Sequence, residues 1–97
     1  MYKRKPQALG TLIEEFIEKT PYRKSMKRGM ILSAWPEVVG SAVAAQAEDI
    51  HFKGDTLYVR VKNPAWRHEI HMQRFSITQK LNRRVKEDII KEIIVTS

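Results

Sequence analysis

Residues 48–61 constrain the fold of this chain more than any other stretch. From Glu48 to Val61 apolar and polar side chains alternate on both sides of Gly54-Asp55, a dipeptide suited to a two-residue hairpin turn. That turn sets the register. Phe52 pairs with Leu57 and Ile50 with Val59, and with Val61 these side chains make one apolar face. The opposite face receives His51, Lys53, Tyr58, Arg60 and Lys62, with Asp49 across from Arg60. One face reads as core and the other as basic and aromatic.

The flanking segments read mainly as helices. Leu9, Leu12, Ile13, Phe16 and Ile17 recur at helical spacing in one stripe, which Thr20-Pro21 ends. Tyr22 to Ala34 predicts a second helix, with Met26, Met30, Ile31 and Leu32 as its apolar contacts. Arg23, Lys24, Lys27 and Arg28 crowd its first half, against the helix dipole. Pro36 suits a first helical position, so a third helix is expected from Pro36 to about Ala45, with Val39 and Val43 inward. Beyond the hairpin, Asn63 as N-cap and Pro64 at the first position start a long helix running to about Arg84. Trp66, Ile70, Ile77 and Leu81 share one side of it, while Met72 and Phe75 project elsewhere. Ile89 to Thr96 reads as a closing strand. The expected order is α-α-α-β-β-α-β, a small α+β domain with a three-stranded sheet and helices on one face. Residues 1–6 read as a basic arm, and residues 7–97 as a single domain.

With 97 residues, one core can form and two cannot. There is no Cys, which excludes disulfides, thiolate chemistry and Cys-ligated zinc. No apolar stretch approaches the ~20 residues that span a bilayer, and no apolar segment follows the basic start as in a secretory signal. A cytoplasmic location is therefore expected. The 18 basic side chains exceed the 11 acidic ones unevenly. Residues 1–28 hold eight bases and three acids, and residues 60–86 hold eight bases and only Glu69. The stretch between them is acidic overall. Two concentrated basic blocks point to an anionic partner rather than to solubility alone.

Catalytic readings find little support. His68 and His71 stand at i, i+3, a spacing that can hold a metal, but no carboxylate set completes a site. Glu14/Glu15 and Glu87/Asp88 are adjacent pairs that diverge on a helix. No phosphate-binding glycine loop or nucleophile elbow occurs. We expect no catalysis, no metal, no cofactor and no small-molecule substrate. Lys and Arg supply a salt-sensitive attraction to phosphate, and an aromatic on an open sheet face can stack on unpaired bases. Tyr58 with His51, Lys53, Arg60 and Lys62 is such a surface; equally, Tyr58 could simply cover the solvent face of the hairpin. Trp35 and Trp66 read as core anchors.

Taken in order, Trp35-Pro36-Glu37-Val38-Val39-Gly40, Gly54-Asp55-Thr56-Leu57-Tyr58-Val59-Arg60-Val61, Ala65-Trp66 with Glu69-Ile70, and Leu81-Asn82 resemble the DciA-type family of bacterial proteins, from about Leu9 to Val95. The resemblance implies a fold similar to the type II K-homology domain and a non-enzymatic role as loader or operator of the replicative DNA helicase. It also implies binding to single-stranded DNA. Many members carry a longer basic tail; this chain stops at Ser97, so tail-borne contacts are not assumed. The GxxG loop that RNA-binding K-homology domains use is missing, so fold likeness does not carry their binding mode.

The expected function is a DNA-replication accessory protein that binds single-stranded or forked DNA and the replicative helicase, away from membranes. The expected DNA side is the long helix, with Arg67, Arg74, Lys80, Arg83, Arg84 and Lys86, helped by Lys3, Arg4 and Lys5 of the arm and by the hairpin residues Lys53, Tyr58, Arg60 and Lys62. Met72 and Phe75 are the expected protein contacts. The alternatives are an RNA-binding module on the Tyr58 face and a purely protein-interaction domain.

Overall fold

The computed structural model describes the backbone of residues 6–97 and the side chains of residues 12–97. Three helices, α1 (Pro6–Lys19), α2 (Arg23–Val39) and α3 (Ser41–Gln46), precede a hairpin of β1 (Ala47–Lys53) and β2 (Thr56–Val61). Two more, α4 (Pro64–Met72) and α5 (Arg74–Val85), lead to β3 (Glu92–Thr96). The α+β class and the three-stranded sheet are as the sequence predicts.

The hairpin forms in the expected register. Phe52 pairs with Leu57, Ile50 with Val59, His51 with Tyr58 and Asp49 with Arg60, around a Gly54-Asp55 turn in which Gly54 takes φ 62°. The ladder slips at Glu48, between Ala47 and Asp49. The α4–α5 crossover returns the chain alongside β2, so β3 runs parallel to it and β2 lies in the centre. Leu57, Val59, Val61 and Ile93 are buried beneath Ile31, Trp35, Ile70, Ile77, Leu81 and Val85 from the helices. The other sheet face has no helix over it among the described residues.

Three expectations about element boundaries are corrected. First, α2 does not stop at Ala34. It continues through Pro36 to Val39, and a separate short α3 follows. Pro36 gives up one helical hydrogen bond, but Trp35 beside it is 3% exposed and anchors that turn in the core. The helix ends where Gly40 takes φ 93°, its N–H bonded to the Pro36 carbonyl. Second, the long helix is two. It begins as expected, with Asn63 Oδ1 accepting from the N–H groups of Ala65 and Trp66, and breaks at Gln73. The break lets Ile70 on α4 face the strands while Ile77, Leu81 and Val85 on α5 pack chiefly against α2. Third, the closing strand is shorter than Ile89–Thr96. Ile89 and Ile90 are buried, but in the loop before β3.

The α1 helix forms as its periodicity predicts, yet among the described side chains, which do not include Leu9, its apolar stripe is not core. Leu12, Ile13 and Phe16 are exposed and Ile17 alone of the four is half-buried. Met26 and Met30 of α2 are also partly open, 37% and 42% exposed.

Candidate nucleic-acid interface

The cations that sequence groups together are separated by the fold into three sets. On the open sheet face, Tyr58 stacks on His51 with centroids 5.4 Å apart and planes at 11°. Lys53 Nζ lies 5.7 Å from the Tyr58 ring centroid, and Arg60 is exposed one position along. His51 Nδ1 is 2.7 Å from Asp49 Oδ2. Lys62 continues the alternation and pairs loosely with Glu48 at 3.8 Å. One flank of the Tyr58 ring is thus already covered by a neighbour within the sheet.

On the helical side, Lys80 and Arg83 stand one turn apart on α5 and line a shallow open groove with Glu37 and Val38. Arg83 also borders a second groove, where Lys86 and Lys91 stand with Glu87 and Asp88. Neither Lys80 nor Arg83 has an ion-pair partner among the described residues. Their neighbours differ. Arg84 Nη1 donates to Glu37 Oε1 at 2.7 Å, and Lys86 Nζ to Glu14 Oε2 at 2.8 Å. Lys91 belongs with this surface although in sequence it stands among Glu87, Asp88 and Glu92; nothing in the local sequence signals its approach to α5.

The third set folds back on the chain. Arg67 Nη1 donates to the carbonyls of Val61 at 2.9 Å and Lys62 at 3.0 Å, closing the end of β2. Arg74 Nη1 donates to the His71 carbonyl at 2.9 Å, and its guanidinium lies 4.7 Å from the Phe75 ring centroid. Phe75 is 72% exposed, and Met72 is similarly open, at the corner where α4 meets α5. Lys3, Arg4 and Lys5 lie outside the described residues.

Three of the four cations at the start of α2 are engaged internally, Arg28 through Nε to the Gly54 carbonyl at 3.1 Å. Lys27 is 2% exposed and donates to both Glu18 of α1 and Glu87 beyond α5. Arg23 grips the same Glu87 with two bonds, Nε at 2.8 Å and Nη2 at 2.9 Å. Burial pushes the Lys27 ammonium down, but the bonds from Glu18 and Glu87 outweigh it and the net shift is upward. The Arg23 and Lys27 hydrogen bonds hold the Glu87 carboxyl at about 2, below its ordinary 4.5. The signal was present in sequence: Lys27, Ile31 and Ala34 share one helix face at i, i+4, i+7, so Lys27 points where its apolar neighbours point.

Among the described residues no three His, Asp or Glu side chains gather as a metal site, and no described helix is long and apolar enough to cross a membrane.

The model of a protein family described as Dna[CI] antecedent, DciA, matches residues 8–95, nearly the whole chain. The chain belongs to the DciA family. Curated relatives are UPF0232 proteins of actinobacteria. One from Rhodococcus jostii is 27% identical over 93 residues, which cover 96% of this chain and 50% of that protein. Others from Mycobacterium tuberculosis and Corynebacterium glutamicum are each 26% identical, over 96% and 95% of this chain and 50% and 52% of theirs. The chain therefore spans about half the length of the curated relatives it matches. The residues that carry the DciA resemblance are mostly framework here. Trp35 is core, Gly40 ends α2, Gly54 makes the hairpin turn and Asn82 holds the loop before β3. They identify the fold and leave the binding surface to be argued from the exposed cations.

Proposed function

We propose that this chain is a non-enzymatic accessory factor of bacterial DNA replication, acting in the cytoplasm, that binds single-stranded or forked DNA through the α5 face and contacts the replicative helicase to assist its loading. Membership of the DciA family supports the replication role. One observation carries the DNA placement: Lys80 and Arg83 are exposed on adjoining turns, share a groove and have no carboxylate tied to them among the described residues. Charges left unneutralised by the protein are the ones able to displace counterions from a phosphate backbone. Arg84 and Lys86, neutralised by Glu37 and Glu14, contribute less.

The helicase contact is the corner formed by Met72 and Phe75. An exposed aromatic with an arginine stacked on it is the composition of an interface hot spot rather than of a solvated helix face. Capture of the replicative helicase from lysate on the immobilised chain, compared with a Phe75→Ala variant, tests it. Retention by the parent and loss in the variant support the placement; equal retention contradicts it, and no retention by either contradicts the helicase role.

A second reading, an RNA-binding module on the sheet, is favoured by the Tyr58–His51 stack with Lys53 and Arg60 beside it. Competition between RNA and DNA single strands of matched sequence separates the two.

A further inference from the structure

The α1 helix is amphipathic the wrong way round for a helix that belongs to one core. Each residue advances about 100° around the axis, so Glu14 and Glu18 share one side, Leu12, Phe16 and Ile13 a second, and Glu15 with Lys19 the outer edge of that second side. The polar side faces the body of the protein. Glu14 is tied to Lys86 and Glu18 to the buried Lys27, with Ile17, at the edge of the stripe next to Glu14, reaching the space between α2 and α5. The apolar side faces water, with Phe16 65% exposed and Leu12 and Ile13 close behind. Ion pairs thus fix the rotation of α1 so that its stripe is presented outward.

The outward face is also self-complementary. Glu15 and Lys19 stand at i, i+4, yet no ion pair joins them, and neither has a partner among the described residues. When two identical helices pack antiparallel about a two-fold axis, the same edge of each lies beside the same edge of the other. An axis close to Phe16 brings Glu15 of one copy alongside Lys19 of the second, and the reverse pair forms by symmetry. The stripes close on each other with Phe16 at the centre. A basic edge would have repelled its copy, and an acidic one likewise; one charge of each sign does neither.

We propose that α1 is a self-association surface, through which two copies of this chain pair by antiparallel α1 helices centred on Phe16, with Glu15 of each copy facing Lys19 of the other. Because Glu14 and Glu18 are engaged on the opposite side, pairing leaves the core and the α5 face untouched.

Sedimentation equilibrium of the 97-residue chain from micromolar to millimolar concentration tests this. The expected average mass rises with concentration from 11.4 kDa toward twice that value. Phe16→Asp is expected to weaken association by about a hundredfold or more. Glu15→Lys is expected to weaken it by roughly fivefold, and Glu15→Lys with Lys19→Glu in one chain to restore most of that loss. Circular dichroism of each variant confirms retained helix; if Phe16→Asp loses it, the charge exchange decides. A mass fixed at the monomer value throughout overturns the proposal and leaves the face to a helix of another protein. So does association that none of the three variants changes.

Discussion

Asn82 and Ile90 are joined by two hydrogen bonds in opposite directions. Asn82 Nδ2 donates to the Ile90 carbonyl at 3.0 Å, and Asn82 Oδ1 accepts from the Ile90 N–H at 2.9 Å and from the Ile89 N–H at 3.1 Å. The loop that must turn from α5 into β3 therefore has its buried backbone groups satisfied by one buried side chain. Asn82→Ala leaves the Ile90 N–H and carbonyl unmatched, while the Ile89 N–H keeps its bond to the Glu87 carbonyl at 2.9 Å, and is expected to lower stability by about 2–4 kcal/mol, read from the urea midpoint at unchanged m-value. A loss within about 0.5 kcal/mol would show that the loop finds other partners.

Glu87 makes the fold acid-sensitive in a defined window. Its carboxyl is held at about 2 by Arg23 and Lys27, against an ordinary 4.5. A depressed carboxylate contributes its full stability above the unfolded value, and the contribution declines as pH falls from 4.5 through about 2. Glu87→Gln should be less stable than the parent at neutral pH and should lose less between about pH 5 and pH 2. Parallel urea titrations across that range check it, and identical acid limbs would contradict it.

Lys86 takes φ 58° and ψ 35°, a left-handed conformation that favours glycine, at the end of α5. Lys86→Gly and Lys86→Ala both remove the bond to Glu14, but only alanine keeps the backbone strain. The glycine variant is expected to be more stable than the alanine variant by about 1 kcal/mol in thermal or urea unfolding. Equal stabilities would mean that the turn relaxes out of the left-handed region.

The hairpin register from Asp49 to Arg60 was legible because a period of two and a two-residue turn fix it, whereas the slip at Glu48 was not. The boundaries of α2 and of the α4–α5 break were not. Pro36 has strong local preferences, but Trp35 packing overrides them, and the bend at Gln73 is set by what Ile70 and Ile77 must reach. Periodicity found the stripe of α1 and could not say whether it is covered, since an apolar face looks the same against a core or a partner. The candidate interface was legible only in outline. Sequence shows eight basic residues between 60 and 86, whereas carboxylates distant in sequence, Glu14, Glu37 and Glu48, decide which of them remain free.

The most direct test measures the affinity of this chain for a single-stranded DNA oligonucleotide as a function of salt, by fluorescence anisotropy, for the parent, for Lys80→Glu with Arg83→Glu, and for Tyr58→Ala. With the α5 face as the DNA side, the charge-reversed variant binds more weakly and its log–log salt slope flattens by about 0.7 for each phosphate it no longer neutralises, while Tyr58→Ala keeps the parent slope. An unchanged slope after reversal of both Lys80 and Arg83 would contradict the central claim.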